Sequence, residues 1–282
     1  STLSPSSAAS DVYKRQVLSS NLKGTTHSSS YPLRSSMSSV RGLLEASASK
    51  YVSDHDADGI WDEPIIGFAD ARSFGSLRMA VHPDHLMPDD ILPGATVVVS
   101  VFVPFDLAVS RSNVRGTVPS DLWVSSYRDT NGMSVGLLEH IASAVRSIGS
   151  RAGIPGDTGR HRGSTYSIWS QRHIAYLAGL GTFGMNNMLI TRKGCCGRFY
   201  SLVTDLDVPA DVPETEERCL FKRDGSCGAC MRRCVVSALK VDGFDRDACD
   251  AVCRGNEAER GEDVCGKCMV GMPCSFLREG GL

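Results

Sequence analysis

Apolar positions mark out the elements of this chain. Val40, Leu43, Leu44 and Ala48 recur at helical spacing behind Ser39, an acceptable N-cap, and predict a first helix. Ile65 to Ala69 predicts a short strand ended by Asp70. The run ATVVVSVFV, from Ala95 to Val103, is β-branched and almost wholly apolar, the pattern of a strand covered on both faces. Pro93-Gly94 and Pro104 bound it as turn signals. Leu137, Leu138, Ile141, Ala144, Val145 and Ile148 form the stripe of an amphipathic helix over 133–148, with Asn131-Gly132 just before it and Gly149 as its stop. A helix is expected from about Ser170 to Ala178, then strands over 188–191 and 199–204 joined by a hairpin-like connection at 193–198.

Between these elements the polar stretches differ in kind. Residues 153–163 are glycine-rich and polar, and predict a loop. The run GLGTFGMNN at 179–187 carries Gly179, Gly181 and Gly184, which allow close backbone approach to a neighbour or a ligand; a tight connection is the commoner use. DHDADGIWDE at 54–63 matches the first half of a calcium loop, but its twelfth position is Ile65 rather than a bidentate glutamate, so it reads as an acidic surface turn. Residues 205–218 are acidic with Pro209 and Pro213, and read as a linker. Strands alternating with helices predict an α/β (α+β layered) domain over 39–206, followed by a small ferredoxin-like iron–sulfur domain over 207–282. Residues 1–38 are serine-rich and without apolar periodicity; they read as a disordered or non-native segment, with Met37 the expected start.

Composition narrows the function classes. The chain has 282 residues, 41% hydrophobic, enough for one sizeable core and a satellite. A net charge of −2 gives no general polyanion binder. The longest apolar run, 95–105, falls far short of the ~20 residues of a membrane span, so no membrane partner is expected. Eleven cysteines without an apolar secretion signal point to a reducing, cytoplasmic compartment and away from disulfides.

Nine of the eleven cysteines fall between Cys219 and Cys274, in the runs CGACMRRC at 227–234 and CGKCMVGMPC at 265–274. Thiolate is the ligand of zinc and of iron–sulfur clusters alike. One zinc on the pairs 227/230 and 265/268 would leave Cys219, Cys234, Cys249, Cys253 and Cys274 unexplained. Two 4Fe-4S clusters account for eight of the nine. In bacterial ferredoxins the last cysteine of one run serves the other run's cluster. That rule assigns Cys219, Cys227, Cys230 and Cys274 to one cluster, and Cys234, Cys265, Cys268 with either Cys253 or Cys249 to the other. The usual middle cysteine of the first run is missing, near Arg233, and Val235 stands where proline is usual; Cys219 is the expected substitute.

The stretch WSQRHIAYLAGLGTFGMNNMLIT (169–191), followed by GCCGRFYSLVTDL (194–206), resembles the epoxyqueuosine reductase family and its shorter relatives, as do EPIIGFAD, ILPGATVVVSVFVPF, YRDTN and the cysteine tail. The resemblance covers roughly 40–282. It implies a cobalamin-binding α/β domain, then two 4Fe-4S clusters that pass electrons to the cobalt, which deoxygenates an epoxide on a modified tRNA base. Reductive dehalogenases share this arrangement. Carried onto this chain, a corrinoid would lie near Gly179, Gly181, Gly184, Asn186, Cys195, Cys196 and Arg198. The family's catalytic aspartate maps to about Thr165, with Tyr166 beside it, and no carboxylate stands between Arg160 and Gly181.

Tyr166 is accordingly the candidate proton donor, with an ordinary half-buried tyrosine as the competing reading. Arg172 and His173 could meet an anionic group, and His82 and His85 a metal. The expected function is an iron–sulfur oxidoreductase with a small-molecule or nucleoside-like substrate, supplied by an electron donor such as a ferredoxin, flavodoxin or reductase; tRNA is disfavoured. The alternative is a ferredoxin-like electron-transfer protein with no substrate of its own.

Overall fold

The computed structural model describes residues 34–156 and 166–277. The segment 1–33 and the position of Thr165 lie outside them, as does most of the loop expected at 153–163.

Strand β2 (Val97–Pro104) is the centre of the fold. Its eight residues are all buried, and it pairs antiparallel with β1 (Ile65–Asp70) and with β6 (Gly197–Thr204). A short strand β3 (Ala152–Gly153) completes a four-stranded sheet in the order β1-β2-β6-β3. Side chains alternate across a strand, so β2 presents two faces. Val97, Val99, Val101 and Val103 pack with Leu44, Ala48 and Val52 of α1 (Arg34–His55) and with Leu137, Ile141 and Val145 of α5 (Asp121–Ser147). Val98 and Phe102 pack on the other side against Trp169 and against Ile174 and Leu177 of α6 (Gln171–Leu177). The sheet is thus covered on both faces, which is why β2 reads as a continuous apolar run although every pairing is antiparallel. Leu137 is fully buried in this layer; Leu137→Ala should lower unfolding free energy by about 2–5 kcal/mol, read from a denaturant midpoint.

Two helices exceed their sequence patterns. The first helix begins at Arg34, not after Ser39. Helix α5 starts at Asp121, where Ser120 Oγ accepts from Trp123 N at 3.2 Å, so Asn131-Gly132 is helix interior. Gly136 lies at the α1 crossing, where a Cβ would overlap the hydroxyl of Tyr51. Packing against α1 therefore overrides the turn signal.

Between these come a 3-10 turn (Ala71–Ser76), then α2 (Leu77–Ala80), α3 (Pro88–Ile91) and α4 (Leu107–Ser112). The expected 193–198 hairpin does not form. Strand β5 (Leu189–Thr191) pairs instead with β4 (Gly181–Phe183), and β6 belongs to the main sheet. Gly181 makes that hairpin possible, since a Cβ there would collide with the Ile190 carbonyl. In the 54–63 turn, Asp56 accepts from the backbone N–H of Ile60 at 2.7 Å.

The stretch read as a linker is fastened to the edge of β1. Asp211 N donates to Phe68 O at 2.7 Å, and Phe68 N donates back to Asp211 Oδ2 at 2.8 Å. Arg41 also reaches Asp211 Oδ1 at 2.7 Å. The cysteine-rich tail then contributes α7 (Leu220–Asp224), α8 (Ala229–Arg233), the short pair β7 (Leu239–Lys240) and β8 (Gly243–Phe244), and α9 (Arg246–Arg260). Among the described residues, no helix is long and apolar enough to cross a membrane.

Candidate metal centre

The tail folds back onto the sheet body through main-chain groups. Cys195 N donates to Cys274 O at 3.0 Å, and Asn186 Nδ2 donates to Cys268 O at 2.9 Å. Asn113 Nδ2 donates to Cys265 O at 3.0 Å, and Arg233 Nη2 to Val114 O at 2.7 Å. These bonds fix where the cysteines point.

Cys219, Cys227, Cys230 and Cys274 line one cavity, together with Met185, Ile190, Phe221 and Met272. Cys219 is the residue before α7, and Cys230 lies on α8, which starts after Gly228 at a φ of 145°. Burial, reinforced by Cys274, Cys219 and Cys227, pushes the Cys230 thiol up to about 11. Cys230, and Cys274 in the same cavity, resist becoming thiolates unless a cation is present to hold them so.

A second group forms around Cys268. Burial and then Cys265, Cys249 and Cys234 raise its thiol well above the ordinary range. Cys249, on the first turns of α9, is the exception: a hydrogen bond from Cys253, and then the charges of Arg172 and Arg246, lower it to about 7. All the cysteines are free thiols. Among the described residues, no three His, Cys, Asp or Glu side chains converge on one metal-ion position. A zinc site asks for such convergence, with each sulfur about 2.3 Å from a single point. A four-iron cluster spreads its four thiolates over a larger body. The first cysteine group places four thiols on one cavity.

The residues proposed for a corrinoid are placed differently. Asn186, Cys195 and Cys196 are buried, and Cys196 Sγ donates to Met269 O at 2.9 Å. A Cβ on Gly179 would meet the Val212 carbonyl at 2.7 Å, and one on Gly184 would meet Asn186 Oδ1 at 2.7 Å. These glycines admit the chain's own backbone and side chains. Gly184 and Asn186 border the first cysteine cavity. Arg198 lies 4.4 Å over the Tyr127 ring, with its Nε buried and without a hydrogen-bond partner. As packed, these seven residues form no open cradle for a corrinoid.

Tyr166 is 39% exposed, with the Arg246 guanidinium 5.0 Å over its ring and His82 at 5.7 Å. It therefore lies beside the start of α9, three residues before Cys249. His85 is fully buried and its Nε2 accepts from Ser170 N at 3.0 Å, so that nitrogen caps α6 rather than offering a lone pair to a metal. Ser170 Oγ is 2.8 Å from His173 Nδ1, and burial lowers His173 to about 3. Sequence reasoning missed Lys267, which is 1% exposed inside the CGKC run, and Arg246; neither burial nor orientation is written in residue type.

No family model matches the chain, and no curated protein matches it either. Solved structures do. A crystal structure of epoxyqueuosine reductase with an epoxyqueuosine-modified tRNA-Tyr stem loop superposes with a TM-score of 0.51 at 18% identity, over 83% of this chain and 66% of that one. A catabolic reductive dehalogenase in complex with 3-bromo-4-hydroxybenzoic acid gives a TM-score of 0.54 at 15% identity, over 98% of this chain and 41% of that one. Another structure of a catabolic reductive dehalogenase gives 0.51 at 16% identity, over 72% and 28%. The chain has an epoxyqueuosine reductase-like fold, and it spans 55% of the first matched epoxyqueuosine reductase and 66% of the one bound to the stem loop.

Proposed function

We propose that this protein is an iron–sulfur oxidoreductase of the epoxyqueuosine reductase-like type, with two 4Fe-4S clusters held by the cysteine-rich tail against the sheet body. The observation that carries this reading is the convergence of Cys219, Cys227, Cys230 and Cys274 on one cavity, although up to 55 positions separate them in sequence. Bound there, a cluster supplies one-electron chemistry. The chain's own part is to keep the thiols together, to exclude water with Met185, Ile190, Phe221 and Met272, and to anchor both groups to the sheet body through Cys195 and Asn186.

For the second group the ligands are Cys234, Cys265 and Cys268 with Cys249, rather than Cys253. Cys249 acts electrostatically on both Cys265 and Cys268, while Cys253 hydrogen-bonds Cys249 from the next turn of α9. Accordingly, Cys249→Ser should lose about half of the bound iron and Cys253→Ser should keep nearly all of it, assayed after anaerobic reconstitution. The reverse pattern would exchange the two roles.

Electrons from a soluble donor, a ferredoxin, flavodoxin or reductase, would pass through the clusters to an acceptor on the sheet body. The substrate would be small or nucleoside-like; the residues that the resemblance nominates for cobalamin are filled by the chain's own atoms, so the acceptor is left to the binding test below. The reconstituted protein should show broad visible absorbance that bleaches with dithionite; zinc with no such band would contradict the reading. Incubation with cobalamin followed by gel filtration separates enzyme from carrier. Corrinoid retained with the protein supports a corrinoid-dependent reductase, and none retained leaves electron transfer to another acceptor.

A further inference from the structure

We propose that the two clusters are electronically unequal: one buried and two half-buried cations around Cys234, Cys249, Cys265 and Cys268 make that centre the easier to reduce, so an arriving electron rests there. This rests on the two-cluster reading above. Lys267 stands between Cys265 and Cys268, only 1% exposed, and its Nζ donates to Asn113 O at 2.9 Å and to Arg115 O at 2.8 Å. Carbonyls orient the ammonium without cancelling its charge. Arg172 Nη1 donates to Asn187 O at 2.5 Å and its charge reaches Cys268 and Cys249. Arg246 opens α9 three residues before Cys249. Among the described residues none of these three cations has a carboxylate ion pair. The nearby carboxylate of Asp250 is engaged by Arg254 at 2.5 Å.

The first cavity has less uncompensated positive charge in its lining, although Arg232 Nη1 would lie 3.1 Å from a Cβ on Gly228. Its lining is apolar apart from the cysteines, Asn186 and Arg218, and Arg218 is neutralised by Glu214 at 2.7 Å. Glu217 Oε1 accepts from Cys219 N at 3.2 Å, which adds negative charge beside that set. Reducing a cluster by one electron from an external low-potential donor adds one negative charge and changes no bond. In a low-dielectric interior an adjacent fixed cation favours that added charge, and an adjacent carboxylate opposes it.

The test is a potentiometric titration of the reconstituted full chain, followed by electron paramagnetic resonance, with dithionite as reductant. Two one-electron waves are expected. Lys267→Met should move the upper wave down by about tenfold in its reduced-to-oxidised ratio, ~59 mV for one electron, and leave the lower wave in place. Lys267→Arg should restore the upper wave. Should Lys267→Met fail to load iron, because two carbonyls lose their donor, Arg172→Gln provides the same downward shift through a different residue. A purely structural lysine would change iron retention or thermal stability and leave both potentials alone. Full iron with both waves unmoved in Lys267→Met and Arg172→Gln overturns the inference. A wild-type protein that never loads two clusters overturns instead the reading on which it stands.

Discussion

Cys227→Ser is expected to remove one of the two proposed metal centres and to leave the other. Iron should fall from about eight to about four atoms per chain, and electron transfer through the tail should stop. Cys227 lines the first cavity with Cys219, Cys230 and Cys274, and serine cannot match thiolate as a ligand for iron. The second group, around Cys268, is assembled from separate segments: α9, the 265–268 loop and Cys234. It should therefore keep its iron. Visible absorbance near half that of wild type, measured beside the iron assay, is the expected result. Loss of all iron would mean that the two groups load as one unit.

Gly266→Ala has a comparably large expected effect, on folding rather than on a ligand. Gly266 has a φ of 71°, and a Cβ there would overlap the indole of Trp123. Trp123 is 1% exposed and packs edge-on against Phe105 at 5.2 Å, so it has nowhere to retreat. Left-handed strain and forced overlap together should cost about 3 kcal/mol or more. The expected result is a Tm several degrees below wild type and loss of iron from the centre proposed to use Cys265 and Cys268. Gly225→Ala is the control. Gly225 has a φ of 77° but nothing within 4 Å of its would-be Cβ, so only the backbone term of about 1–2 kcal/mol applies. Equal losses in the two variants would show that the Trp123 contact contributes nothing.

Much of this fold is legible in the sequence because each element carries its own period. The run from Val97 to Val103 is apolar on both faces, and the structure covers both. What local pattern cannot provide is pairing. Leu189–Thr191 and Gly197–Thr204 are neighbours in sequence, yet the first pairs with Gly181–Phe183 and the second with Val97–Pro104. Asn131-Gly132 is a turn signal in isolation, but the packing of Leu137 and Ile141 on α1 carries the helix through it. At the candidate site, the ferredoxin spacing rule groups Cys219, Cys227, Cys230 and Cys274, and the fold places these four on one cavity. The burial of Lys267 and the position of Arg172 were not, because tertiary contacts from Asn113, Arg115 and Asn187 create them.

Iron and acid-labile sulfide per chain, measured on protein reconstituted without oxygen and passed through gel filtration, test the central claim most directly. About eight of each per chain is the predicted result, as two four-iron clusters require. One tightly bound zinc per chain with neither iron nor sulfide would contradict it.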